Sequence, residues 1–331
     1  MSLPRVTEPL GRPVPYIVAA YQGESLNLPG TKSTFRVLAS AKESDGQLSV
    51  FRMDGVSGDP VVFHHHNEAH DIFMCTRGHM KVWAGNEARL LGPGDFCSVP
   101  PKVVHRPQLV DPWNETIGLR YDGILAEEFD DRDTAQILFP KKKIIEEEYD
   151  VIFDPHHPAC KVGEWTEDDT KIPEGTEAYY LRANTGPRHI LGGLLSRPFI
   201  TKDQSDGKFA ITSIESSNTH PPSILDKPFT FSRVHQVYYI LDGAIEVTIA
   251  GTPNRIHPGE TVFIPADTEI SITFTERYTR FWSFSSGDGL ETFIRLAGRE
   301  FEGAIFPSKP DPVQTAKVVK AAESIGLAIT C

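Results

Sequence analysis

The sequence predicts an all-β protein of two small β-barrel domains, jelly-roll-like in kind, with a few peripheral helices. Three observations predict it. Twenty-six prolines and twenty-six glycines break the chain into short segments rich in Val, Ile, Phe, Tyr and Thr, the punctuation of sandwiches and barrels. A length of 331 residues suits two domains at roughly 150 residues each. The third observation is an internal repeat at a single offset of 165 residues. It carries Phe73-Met74-Cys75-Thr76-Arg77-Gly78-His79-Met80-Lys81-Val82 onto Tyr238-Tyr239-Ile240-Leu241-Asp242-Gly243-Ala244-Ile245-Glu246-Val247. The same offset carries Pro93-Gly94-Asp95-Phe96-Cys97-Ser98-Val99-Pro100 onto Pro258-Gly259-Glu260-Thr261-Val262-Phe263-Ile264-Pro265. Two blocks in one register, without a gap, imply a duplicated β-domain.

Each half therefore reads as strand, Gly turn, strand, Pro-Gly-acid turn, strand, Pro-bounded turn, strand, with turn residues where the chain must reverse. The N-terminal domain, expected to bind metal, takes residues 1–122, and the C-terminal domain takes 171–331. Residues 123–170 read as an interdomain helix and linker. This stretch holds Lys141-Lys142-Lys143, Glu146-Glu147-Glu148 and a Pro/His run from Asp154 to Pro158. The basic triplet reads as a solvated face. Helical periodicity is confined to Leu125–Leu138, Gly289–Gly298 and Pro312–Ile325.

Composition narrows the class of function. The net charge of −12 disfavours nucleic acid and acidic membrane surfaces as partners. Hydrophobic residues at 39% and charged residues at 24% lie in the ordinary globular range. No apolar run is long enough for a transmembrane helix, and Met1 to Pro13 has no secretory pattern, so a cytoplasmic protein is expected. Cys75, Cys97, Cys160 and Cys331 form no C-x-x-C pair and read as separate thiols, the first two as small core residues. Without an export signal, the glycosylation triplet Asn114-Glu115-Thr116 carries no meaning.

The chemistry concentrates in Phe63-His64-His65-His66-Asn67-Glu68-Ala69-His70-Asp71. Side chains alternate along a strand, so His64 and His66 share one face and His65 takes the other. Asn67 to His70 supply a bend, and Asp71 opens the next strand on the same interior face. His105, after the Val99-Pro100-Pro101 turn, begins a third strand. Three imidazoles and one carboxylate aimed into a barrel make a site for a divalent transition metal with open positions for water or substrate. Glu68, two residues after His66, competes with Asp71 for the carboxylate place. His65, His70 and His79 read as structural. The offset of 165 replaces His64, His66, Asp71 and His105 by Phe229, Phe231, Gln236 and Ile270, so the C-terminal domain is expected to lack metal ligands.

His64-x-His66-x4-Asp71-x6-Gly78 and Gly94-x5-Pro100-x4-His105 resemble the two signature motifs of the cupin superfamily, and the duplication makes the chain resemble a bicupin. More narrowly, the chain resembles the fungal quercetin 2,3-dioxygenase (quercetinase) group. The matching stretches are Arg12 to Val18, Phe73 to Gly78, Lys81 to Ala84, Gly94 to Pro100 and Ser285 to Leu290. The resemblance implies one divalent metal (copper, iron, manganese, nickel or zinc) held by His64, His66, His105 and Asp71. It also implies a carboxylate base, Asp71, that takes a proton from the substrate hydroxyl. The partners implied are dioxygen and a small aromatic that is phenolic or enolisable, flavonol-like or polyketide-like, and barrel edges would allow a homodimer. Met53 and Phe73 line the pocket as in the family. Pro107, Thr116 and Arg120 fall where larger apolar groups are usual, and Arg120 could meet a substrate carboxylate or phenolate. Asp71 stands where the family has Glu, and Lys102 where Gly is usual. These departures keep two alternatives open beside the dioxygenase: a non-redox lyase, decarboxylase, cyclase or isomerase, and a non-catalytic binding bicupin.

Overall fold

The computed structural model describes residues 2–27, 32–58, 61–121, 146–147, 150–303 and 305–330. The chain forms two compact units, Gly23–Thr185 and Met1–Gln22 with Gly186–Cys331. In the first, a seven-stranded sheet runs in spatial order Tyr179–Leu181, Phe96–Val99, His70–Arg77, Asn114–Tyr121, Leu48–Gly55, Thr34–Ala39 and Glu24–Asn27. Its partner is a five-stranded sheet of Ile152–Phe153, His64–His65, His105–Leu109, Met80–Ala84 and Glu87–Leu91. The core between them draws Met53, Phe73, Cys75, Cys97, Val99 and Tyr180 from the large sheet and Met80, Val82, Ala84, Leu91 and Leu109 from the small one. Every second residue points inward, which is why Phe73 and Cys75 bracket Met74 rather than sit beside it.

The second unit repeats the plan with a nine-stranded and a five-stranded sheet around an apolar core that includes Tyr238, Phe281, Val247 and Ile272. Two helices pack on that core, Leu290–Ala297 between Gly289 and Gly298 and Thr315–Ser324, through Phe293, Ile294, Val318 and Ala322. The expected helix Leu125–Leu138 and the Lys141 triplet lie outside the described residues. The all-β fold stands, with two sheets per unit in jelly-roll-like fashion rather than one closed barrel.

The repeat survives in backbone detail. Gly78 and Gly243 both take positive φ, 72° and 68°, and a Cβ on Gly78 would lie 2.7 Å from the Trp113 carbonyl. Lys102 and its counterpart Asp267 are left-handed as well, at 69° and 61°. Their amides donate to His66 O (2.6 Å) and Phe231 O (3.1 Å), which are again 165 residues apart. Lys102 thus occupies a place that favours Gly. Lys102→Gly is expected to stabilise the protein by about 1 kcal/mol, read as a raised urea midpoint with an unchanged slope.

The domain limits differ from those read in the sequence. Tyr16–Val18 pairs with Thr261–Ile264 in the unit that contains Gly186–Cys331, with Tyr16 opposite Phe263. Tyr179–Leu181 pairs with Phe96–Val99 in the unit Gly23–Thr185, with Tyr179 opposite Ser98. Ser98 and Phe263 are repeat equivalents, so each large sheet is extended by the strand that precedes the other half in sequence. The Pro-Gly turns show the matching contact: a Cβ on Gly94 would lie 3.1 Å from Ala183 Cβ, and one on Gly259 3.2 Å from Ala20 Cβ. Part of the expected linker is also structured, since Ile152–Phe153 is a strand on the edge of the small sheet. No helix among the described residues is long and apolar enough to cross a membrane.

Candidate metal centre

The pairing of His64 with His105 across the small sheet sets the site, because directly opposed residues of antiparallel strands share a face. Their rings lie 4.3 Å apart, and the His66 ring lies 5.2 Å from His64 and 5.3 Å from His105. Asp71, from the large sheet, sends Oδ2 to 3.1 Å from His66 Nε2 and 3.3 Å from His105 Nε2. One ligand atom from each of His64, His66, Asp71 and His105 lies within 4.8 Å of every other. Glu68 is exposed and takes no part in this cluster.

The hydrogen bonds fix which nitrogen faces the centre. Nδ1 of His64, His66 and His105 lies 2.9, 2.6 and 3.0 Å from the carbonyls of Val62, Asp150 and Val103. A carbonyl only accepts, so each Nδ1 carries the proton, and in the neutral ring Nε2 turns a lone pair inward. His66 Nε2 lies within hydrogen-bond distance of Asp71 Oδ2, so a proton on that nitrogen or a cation between the two atoms holds the pair together. His105 Nε2 and Asp71 Oδ1 are buried and have no hydrogen-bond partner among the described residues. Burial, and then the like-signed influence of His105 and His66, hold His64 well below the usual imidazole range. For Asp71, burial pushes upward, but the attraction of His66 and the close approach of His105 and His66 outweigh it and keep the carboxyl well below its ordinary range. Three imidazole nitrogens and a carboxylate oxygen, all within 4.8 Å of one another, are the donor set a divalent ion requires, so the residues fit one.

The remaining predicted residues fall around this centre. Phe73, two places along the strand from Asp71, sets its ring 6.0 Å from His105, and Met53 is buried in the same core. Arg120 is buried and stands opposite Asp71 on the neighbouring strand, hence on the same inner face. Thr116 is opposite Met53, and Pro107 is opposite Val82. His65, His70 and His79 stay out of the cluster; His70 Nε2 lies 2.8 Å from Ser98 Oγ and His79 Nδ1 lies 2.7 Å from Asp111. Sequence reasoning missed Phe51 and Phe35, whose rings lie 5.7 Å apart on the same wall. Phe51 lies directly over Gly118, where any Cβ would collide with the ring. The missed signal was the size complement of a Gly and a Phe across neighbouring strands. Beyond the predicted residues, Asp150 also touches the site through His66. In the second unit the four counterpart positions, Phe229, Phe231, Gln236 and Ile270, are buried, and the three apolar ones join its core.

Duplicated jelly-roll-like units with a cluster of three histidines and one carboxylate in one of them match the architecture of a bicupin. A cupin domain match covers residues 53–111, from the end of the strand Leu48–Gly55 through all four cluster residues to just past Leu109. Solved structures give the same fold at low identity. The protein Ylba of E. coli has a TM-score of 0.57 and 10% identity, covering 84% of this chain and 92% of that one. An oxalate decarboxylase–formate complex from Lactobacillus farciminis has a TM-score of 0.55 and 12% identity, covering 82% and 86%. Two curated relatives narrow the likeness. Quercetin 2,3-dioxygenase of Bacillus subtilis is 24% identical over 96% of this chain and 95% of its own length. Quercetin 2,3-dioxygenase of Aspergillus japonicus is 25% identical over 75% and 82%. The first unit thus holds a cupin domain, the second repeats its fold, and the chain resembles quercetin 2,3-dioxygenase.

Proposed function

We propose that this protein is a metal-dependent dioxygenase acting on a phenolic or enolisable aromatic, flavonol-like or polyketide-like in class, with His64, His66, His105 and Asp71 as its ligands. The observation that carries the proposal is the convergence of three inward Nε2 atoms and Asp71 Oδ2 beside an apolar wall containing Phe73 and Met53. When bound there, a first-row transition ion supplies Lewis acidity to a substrate hydroxyl and an electronic path between an electron-rich ring and dioxygen. Asp71 accepts the hydroxyl proton on its carboxylate. Phe73, Phe51 and Met53 hold the flat body of the substrate and keep bulk water from the reacting oxygen. The three Nδ1–carbonyl bonds fix the ring tautomers through the cycle. The free thiols Cys75, Cys97 and Cys160 suit a cytoplasmic setting for this chemistry.

The test is elemental analysis of the native protein joined to oxygen uptake against a panel of flavonols and polyphenols. One redox-active ion per chain with substrate-dependent oxygen consumption supports the reading. A metal-loaded protein that consumes no oxygen with any of them sinks it.

Arg120 favours a second reading that shares the same site. A buried guanidinium opposite Asp71 suits a substrate bearing a carboxylate, and a non-redox decarboxylase, lyase, cyclase or isomerase would use the ion only to polarise a carbonyl. Turnover under anaerobic conditions with zinc separates the two. In either case Arg120→Gln is expected to raise KM for a carboxylated aromatic by about 10- to 100-fold, the worth of a charge-assisted hydrogen bond, and to leave KM for its neutral methyl ester within about twofold.

A further inference from the structure

We propose that Asp150 is a positioning residue of the metal centre, fixing the His66 ring through its backbone carbonyl and, through its carboxylate, the turn that leads from His66 to Asp71. The inference rests on the metal-site reading above and extends it to a residue of the interdomain segment.

The argument begins with an asymmetry among the three histidines. His64 and His105 each anchor Nδ1 to a carbonyl two residues earlier on their own stretch of chain, Val62 and Val103. His66 lies beyond the end of the strand His64–His65 and finds its acceptor 84 residues later, at Asp150 O, 2.6 Å away. Two of the rings are therefore oriented locally, and the third depends on a remote segment.

The Asp150 side chain holds the same turn. Oδ1 accepts from Asn67 N at 2.8 Å, and Oδ2 accepts from Glu68 N at 2.8 Å and Ala69 N at 3.3 Å. Three successive amides of the only connection between His66 and Asp71 thus point at one carboxylate, as orphan amides do at a helix start. Burial pushes the Asp150 carboxyl upward, but bonds from the amides of Glu68, Asn67 and Ala69 outweigh it and hold the group below its usual range. Asp150 itself is left-handed, φ 50°, a conformation Asp and Asn tolerate better than other side chains. The chain after it is bound to the ligand strand: Ile152 pairs with His65, Phe153 with His64, and Asp154 N donates to Phe63 O at 2.7 Å. A segment that reads in sequence as a linker so becomes part of the frame that spaces two ligands five residues apart.

The experiment uses the full chain, stripped of metal and titrated with Co2+ against a chromophoric chelator, with visible spectra and apo melting temperatures recorded alongside. Asp150→Ala is expected to weaken Co2+ binding by about 10- to 100-fold and to change the cobalt d–d spectrum, as loss of an outer-shell partner does. Asp150→Asn, which keeps the backbone preference and one acceptor oxygen, is expected to weaken Co2+ binding severalfold, less than Asp150→Ala does. If Asp150→Ala lowers only the apo melting temperature, with affinity and spectrum unchanged, Asp150 is merely structural and the inference fails. Should Asp150→Ala not fold, Asp150→Asn decides: wild-type affinity with a wild-type spectrum overturns the inference. Absence of Co2+ binding by the wild type itself overturns the metal-site reading and this inference with it, an outcome distinct from the others.

Discussion

Asp71→Asn is expected to lower kcat by about 10²- to 10⁴-fold while the ion stays bound, the usual yield of a positioned general base. The substitution is isosteric, so the three Nδ1-anchored imidazoles keep their places and still offer three Nε2 lone pairs to a cation. What vanishes is an anionic oxygen able to take a proton. In the wild type His66 and His105 more than offset the burial of that oxygen and favour its ionised form. It is therefore ready to accept from a hydroxyl whose acidity the ion has raised. Metal content by elemental analysis and kcat from oxygen uptake, measured on the same preparations, check the expectation. Asp71→Glu gives the companion result. Restoring the longer carboxylate of the resembling family should retain base chemistry within about tenfold, since the group that moves the proton is preserved. Unchanged kcat in Asp71→Asn with a full complement of metal removes Asp71 from the proton path.

The cluster of His64, His66, Asp71 and His105 was legible because local rules govern each member. Alternation puts His64 and His66 on one face, the polar run Asn67 to His70 makes the bend, and two prolines deliver His105 to the start of a strand. The choice between Glu68 and Asp71 was not legible, for it depends on where the bend ends. Glu68 stays in the turn whose amides Asp150 holds, and Asp71 enters the strand His70–Arg77. Asp150 left no trace in sequence because its partners are some 80 residues away and its contacts run mostly to backbone, which any residue supplies. The same holds for Tyr16–Val18 and Tyr179–Leu181. A short edge strand is defined by what it pairs with, and apolar alternation says that it is a strand without saying whose. The repeat predicted the duplication well because its glycines answer to steric rules; it could not predict which half each flanking strand would join.

His105→Ala is expected to strip the ion altogether. His105 is the most buried of the three imidazoles, at 1% exposure, and it stands opposite His64 with its ring between those of His64 and Phe73. If binding by a four-ligand site is worth about 10–16 kcal/mol, one ligand accounts for about 2.5–4 kcal/mol, or roughly 10²- to 10³-fold in affinity. Elemental analysis after dialysis against a weak chelator should then fall from one ion per chain to a small fraction, with oxygen uptake lost in parallel. The fold should persist. The strand keeps its backbone pairing with Met80–Ala84 when the ring is removed. The apo variant is therefore expected to melt within a few degrees of the apo wild type, whereas the metal-loaded wild type should melt above both, by the linkage between ligand binding and stability. The second unit supplies the control. Ile270 is the counterpart of His105, pairs with Phe229 in the register His105 shares with His64, and lies in an apolar core. Ile270→Ala should cost about 2–5 kcal/mol of stability as a core truncation and leave metal content untouched. An ion retained at full stoichiometry by His105→Ala would place the metal elsewhere and dissolve the site described here.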